Sequence, residues 1–293
     1  MKTISQISKT LGLTILLTMG LAFSGSSQAR DRLSHPVPSE KDVILKFGFP
    51  SQTSLTNRIN FLVWNLHKGA NDTFSTDYVS LAYQKDIVLA QEMYLTPLMQ
   101  GVFDSFPQYF YTTATSFFFG RVLTRTGVAT SSPVEPASID YIRTETLEPV
   151  VNSPKVTLIT RFPIRNSTKL LTVVNIHGIN FVDGPAYHKE MNRIADVLKN
   201  IPSPIIFAGD FNSWNDDRLS ILKEMSKKLK LNEASFSPDY RMTFNKHPLD
   251  HFFYTNDIKI ISAKVEDFYQ GSDHKPLEVV VEYSPPISFR IKH

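Results

Sequence analysis

"PIIFAGDFNSW", residues 204–214, is the stretch on which the fold turns. Ile205, Ile206, Phe207 and Ala208 make an unbroken apolar run, which predicts a strand covered on both faces rather than one that alternates between core and water. The run passes directly into Gly209, Asp210 and Asn212. A buried strand that ends in this way delivers an acid and an amide to one place, so the question is what else arrives there.

The same pattern recurs along the chain. Strands are predicted at 59–66 ("INFLVWNL"), 86–93 ("DIVLAQEM"), 155–162 ("KVTLITRF"), 170–177 ("LLTVVNIH"), 249–255 ("LDHFFYT") and 276–283 ("PLEVVVEY"). Between them lie helical patterns. "PAYHKEMNRIADVLKNI" puts Tyr187, Met191, Ile194 and Leu198 on one face, and "DDRLSILKEMSKKLKL" does the same for Leu219, Leu222 and Met225 with lysines opposite. The strand ends share a chemistry: Asn65, Gln91 and Glu92, Asn175 and His177, Asp210 and Asn212, with Asp250 and the pair Asp273 and His274 flanking the last two strands. One polar strand end is ordinary, because loops are polar. Five apolar runs that end in acid/base or metal-ligand residues describe a site.

The chain's start reads differently. Lys2 and Lys9 precede an apolar segment at 11–23, and small residues end at Ala29. This is the pattern of a secretory signal peptide (residues 1–29) cleaved after Ala29, because the apolar segment falls short of the roughly 20 residues a membrane span needs. The expected location is periplasmic or secreted, with no transmembrane anchor after cleavage. With no cysteine there is neither a lipoprotein anchor nor a disulfide framework, so stability must come from the core. The 293 residues, 42% of them hydrophobic, suit one large domain at 59–293 behind a loosely packed leader at 30–58. The net charge is +3, and only +1 remains once Lys2 and Lys9 are set aside, so bulk charge selects no partner.

"WNL", "AQE", "VVNIH", "GDFNSW", "LDHFFY" and "GSDHKPLEV", in this order across residues 59–283, resemble the motifs of the endonuclease/exonuclease/phosphatase superfamily. The resemblance implies a four-layer α/β sandwich in which two mixed β-sheets pack face to face with helices on the outside. It also implies hydrolysis of phosphate esters with a divalent cation, Mg²⁺ or else Mn²⁺ or Ca²⁺. Glu92 would be the prime metal ligand with Asn65 in support, since Mg²⁺ takes one or two carboxylates and keeps several waters. His274 and Asp250 would form the acid/base pair, and Asp210 would orient the water or assist the metal. Asn212 would donate to a nonbridging oxygen, His177 would bind phosphate or protonate the leaving group, and Asp273 would join the polar network. Asn175 and His67 are candidate substrate contacts, and Lys68 either approaches phosphate or is a turn residue.

Two points stay open in the sequence. The glutamate that supports the central histidine in DNase-like members has no clear counterpart: Ser153 stands near its place, with Glu145 and Glu148 close by. The aromatic segment 109–127 is either a core strand or a rim that stacks bases or enters lipid. The expected partner is a phosphate ester, with nucleic acid ahead of phospholipid or inositol phosphate, and the expected state is monomeric. An exported binding protein that kept the fold without turnover is the reading from another class.

Overall fold

A computed structural model describes residues 35–149 and 151–284; the expected signal peptide lies outside them. One sheet runs in the order β1 (Ile44–Gly48), β4 (Phe110–Phe119), β5 (Thr124–Ser132), β3 (Ile87–Tyr94), β2 (Arg58–Asn65), β15 (Leu277–Tyr283) and β14 (Ile258–Val265). The other runs β10 (Leu231–Glu233), β13 (Asp250–Thr255), β9 (Ile205–Asp210), β8 (Leu170–His177), β7 (Val156–Pro163) and β6 (Ser138–Arg143). Both are mixed: β2 pairs with β3 and β8 with β9 in parallel, and the other pairings are antiparallel. A two-stranded ribbon, β11 (Thr243–Phe244) with β12 (His247–Pro248), lies apart.

Alternation inside the apolar strands sorts the side chains into layers. In β2, Phe61 and Val63 enter the core between the sheets, while Leu62 and Trp64 pack outward against α1 (Phe74–Ala82) and α2 (Pro97–Asp104). In β9, Ile206 and Ala208 face the inter-sheet core, while Ile205 and Phe207 meet α3 (Gly184–Leu198) and α4 (Asp216–Leu229). Helices, sheet, sheet, helices: this is the expected four-layer α/β sandwich. The predicted helical faces hold, with Tyr187, Met191, Ile194, Leu198, Leu222 and Met225 buried. Three of these four helices begin on side-chain caps that accept a backbone N–H: Thr96 from Met99, Asp183 from Ala186 and Asn215 from Arg218.

Two expectations change. The segment at 30–58 is no loose leader where it is described: β1 pairs along its length with β4, and Val43 and Leu55 are buried. Its short strand was masked in the sequence by flanking Pro, Ser and charge. The aromatic segment at 109–127 resolves as core, with Tyr109 and Tyr111 buried against α1 and α2 and only the hairpin tip at 120–123 outside.

Gly209 carries the close approach of β9 to β8. Its φ is +138°, and a Cβ there would stand 2.1 Å from the Ile176 carbonyl oxygen. Gly209→Ala is expected to cost at least roughly 1–3 kcal/mol from backbone strain alone, with the clash added, read as a lowered urea midpoint. An unchanged midpoint would mean that the two strands separate freely.

Candidate active site

The parity that fills the core also builds the site. Continuing the inward-facing series along each strand gives Asn65 on β2, Gln91 on β3, Asn175 and His177 on β8, Asp210 on β9 and Asp250 on β13. Register places His177 and Asp250 on either side of Asp210. These ends form one polar seam where the hydrophobic core stops.

The deepest part of the seam is structural. Asn175 is fully buried; its amide donates to the carbonyls of Ala90 (3.3 Å) and Ala129 (2.9 Å), and its oxygen accepts from Gln91 (2.7 Å). All of these lie on the facing sheet, so Asn175 staples the two sheets together. The expectation that it contacts substrate is corrected: one more turn of alternation buries it beneath His177.

Above that staple sit two carboxylates and an imidazole. Asp250 Oδ2 lies 2.8 Å from His274 Nδ1, and Asp210 Oδ2 lies 3.8 Å from His274 Nε2. Asp210 also accepts from Asn65 Nδ2 across the sheets (3.0 Å) and from the Asn212 N–H (2.8 Å). His274 is itself fixed: its carbonyl accepts from Trp64 Nε1, and its N–H donates to Ser272 Oγ, which donates in turn to the Asn65 carbonyl. Burial opposes a charge on this imidazole, but Asp250 and Asp210 outweigh it and raise the pKa to about 10. Burial, with Asp250 adding to it, raises the Asp210 pKa well above the carboxylate range, against the pull of His274 and two hydrogen bonds. His274 is therefore an imidazolium at neutral pH, and Asp210 is the group of this set poised to exchange a proton.

Glu92 reaches the cleft by a backbone irregularity. Strict alternation would send it outward, but β3 carries a bulge against β5 between Ala90 and Met93, and Glu92 has φ +50°. Left-handed geometry at a residue with a side chain costs of order 1–3 kcal/mol and gathers at functional sites. His67, Lys68 and Asn212 share it, at +46°, +57° and +52°. Glu92 Oε2 accepts from Lys68 Nζ. Burial favours the neutral acid, yet the ammonium groups of Lys68 and Lys155 hold the carboxyl well below its usual range. A permanently ionised carboxylate beside the amide of Asn65, whose oxygen now accepts from the His67 N–H, is a hard-oxygen donor set. It fits Mg²⁺, with water completing the shell. Among the described residues no group of three or more His, Cys, Asp or Glu forms a side-chain cage for a metal.

A family model described as the endonuclease/exonuclease/phosphatase family matches residues 62–274, which span every one of these groups. The chain belongs to this family. A UPF0294 protein of Vibrio cholerae is 33% identical to it over 236 residues, 77% of this chain and 78% of that one. Among solved structures, an endonuclease/exonuclease/phosphatase from Bacteroides vulgatus aligns with a TM-score of 0.60 at 16% identity, covering 78% of this chain and 99% of its own. The human Nocturnin catalytic domain with bound sulfate aligns with a TM-score of 0.56 at 18% identity, covering 79% and 98%. These likenesses extend the shared fold across the sandwich.

Within the family frame, His177 lacks the supporting glutamate sought in the sequence. Glu145 lies on the surface with Lys189 and Arg193; Ser153 is buried with its hydroxyl unpaired; and Glu148, buried, binds the Asn180 N–H (2.7 Å) and Lys155 (3.3 Å). The only carboxylate ion-pair contact of His177 among the described residues is Asp210, at 3.7 Å. Burial first, then Lys155, lowers the His177 pKa well below its ordinary value, so the ring is neutral. His67 and Asp273 occupy the rim, 3.8 Å apart, with the Asp273 side chain about half exposed. His251 is absent from the site, as its alternation with Asp250 predicts: it binds Ser213 and Glu233 on the helical side.

Arg218 is the residue that sequence reasoning missed. It is buried in α4 and donates to the carbonyls of Ile179, Asn212 and Val182, with its guanidinium over the rings of Tyr187 (4.3 Å) and Trp214 (4.4 Å). It ties the loops that follow His177 and Asp210 to one point, and Asn212 Nδ2 completes the tie at the Gly178 carbonyl. Amid the charged residues of its helix it carries no sequence signal.

The raised pKa of His274 has a stability consequence. Its contribution is complete below the unfolded value of about 6.5 and is lost as pH rises through about 10. Urea unfolding of the wild type is expected to lose on the order of a few kcal/mol more between pH 7 and pH 10.5 than that of His274→Gln. Parallel pH dependences for the two proteins would contradict the imidazolium assignment.

Proposed function

We propose that the protein is an exported, divalent-cation-dependent phosphodiesterase that cleaves nucleic acid. The observation that carries this reading is the placement of Asp210 between His177 and the Asp250–His274 pair. A bound cation would neutralise phosphate charge from Glu92 and Asn65. Asp210, its pKa raised, accepts the proton of the attacking water. His274, charged, faces the negative charge that builds on the phosphoryl oxygens, and Asp250 holds its ring and protonation state. This exchanges the proton-accepting role expected of His274 with the supporting role expected of Asp210, because an imidazole between two buried carboxylates is already protonated. Neutral His177 and the free amide hydrogen of Asn212 are the neutral donors to nonbridging oxygens.

Nucleic acid is favoured by half-exposed rings on or against the segments that follow His177 and Asn212. Phe181 follows His177 by four residues, and Phe244 meets Trp214 edge-on at 6.3 Å, in the loop after Asn212. Exposed rings of this kind stack on bases without regard to sequence. A phospholipid substrate is the second reading, and a different set of residues favours it. Phe119 packs on Tyr94, two residues beyond Glu92, so the β4–β5 tip lies at the catalytic end, and there Val122 is 83% exposed.

Plasmid DNA and RNA are expected to be cleaved in Mg²⁺ and spared in excess chelator, with sphingomyelin and phosphoinositides inert; hydrolysis of the lipids instead would select the second reading. His274→Ala should lower turnover by roughly 10²- to 10³-fold, the usual worth of one preorganised group facing developing negative charge, and adding Asp250→Asn should cost little more, because the pair acts as one unit. Losses that multiply would separate the two residues. The mature chain is expected to begin at Arg30, outside the cytoplasm, as read by N-terminal sequencing of fractionated cells.

A further inference from the structure

We infer that Lys68 is a displaceable counter-ion: its ammonium occupies Glu92 until a divalent cation takes that carboxylate, and the released side chain then binds a nonbridging oxygen of the substrate phosphate. This rests on the phosphoesterase reading of the site and adds a residue to it.

The first support is geometric. Lys68 Nζ donates to Glu92 Oε2, the very group the family motif supplies for the cation. A Mg²⁺ ion at that carboxylate and an ammonium hydrogen-bonded to it would be like charges a few ångströms apart, so the two states exclude each other. The pair is not sealed in: the side chains are 29% and 21% exposed, which leaves the ammonium a path outward.

The second support is the way the turn is built. Leu66 and His67 carbonyls accept from Gly69 and Ala70, and Asn65 Oδ1 accepts from the His67 N–H, so the backbone at Lys68 is held in its left-handed conformation. Only the flexible four-carbon stem needs to move. The third is that the carboxylates at the neighbouring strand ends already have partners. Asp210 is engaged by Asn65 and Asn212, Asp250 by His274, and Asp273 leans to Ser272 and His67. A phosphate at the cleft is the next acceptor.

Two consequences follow from the exchange. Metal binding is weakened by the ion pair it must break. Metal and phosphate also assist each other, each by the same factor, because a cation on Glu92 frees Lys68 for phosphate.

Calorimetric titration with Mg²⁺, without substrate, tests the first consequence. Lys68→Met is expected to bind Mg²⁺ about tenfold more tightly or better, as a lost competitor requires, while a merely structural role would weaken binding. Lys68→Gln, nearly isosteric and uncharged, should behave alike, and Lys68→Arg should restore the wild-type affinity. Inorganic phosphate titrated in Mg²⁺ tests the second: the wild type should bind it more tightly than Lys68→Met, and the advantage of Mg²⁺ over chelator should shrink in the variant. Mg²⁺ affinity equal to or below that of the wild type in both uncharged variants would overturn the inference, and so would phosphate binding indifferent to position 68. None of these readouts needs turnover, so a protein that passes them yet cleaves no diester would fail the phosphodiesterase reading alone.

Discussion

Asp210 is a buried carboxylate in the seam between two sheets, and the hydrogen bond it accepts from Asn65 crosses that seam. A charge so placed is costly unless partners surround it. Backbone N–H, amide and imidazolium supply them, each from a different element: the loop after β9, the end of β2, and the approach to β15. The catalytic end can be assembled only if the sheets meet in one register, and the Gln91–Asn175 staple beneath fixes that register. Packing and chemistry are here the same constraint, because the inward faces of β2, β3, β8 and β9 begin as core and end in the polar seam.

Much of this was legible in the chain. Continuous apolar strands announced sheets covered on both faces, and the polar residues that close them announced a shared pole, so Asn65, Glu92, His177, Asp210, Asn212, Asp250 and His274 could be named before any coordinate. What escaped did so for physical reasons. Asn175 has the same parity as His177, but the sequence does not say at what depth the cleft floor lies. The β1 strand lacks a long apolar run because it is an edge, with one neighbour and partial exposure. Arg218 and Lys68 act through partners far away in the chain, and a lone cation in a charged or turn-like stretch carries no mark of its partner.

The protonation pattern was the least legible of all. Motif order pairs His274 with Asp250, and that pair exists, but the motif does not reveal that a second carboxylate stands on the ring's other nitrogen. Two acids flanking one imidazole raise its pKa, and the pKa of Asp210 rises with burial beside Asp250. Spatial count, rather than residue type, decides which group carries the proton.

The strand order has a temporal meaning. β15 is the last strand among the described residues, yet it lies between β2 and β14 rather than at an edge, and the loop that leads into it bears His274. A growing polypeptide therefore holds Asp210 and Asp250 before it holds the imidazole that pairs with both, and β2 and β14 are joined only through the strand that follows it. A chain that stops short of that loop and of β15 would hold the two carboxylates without the imidazolium between them.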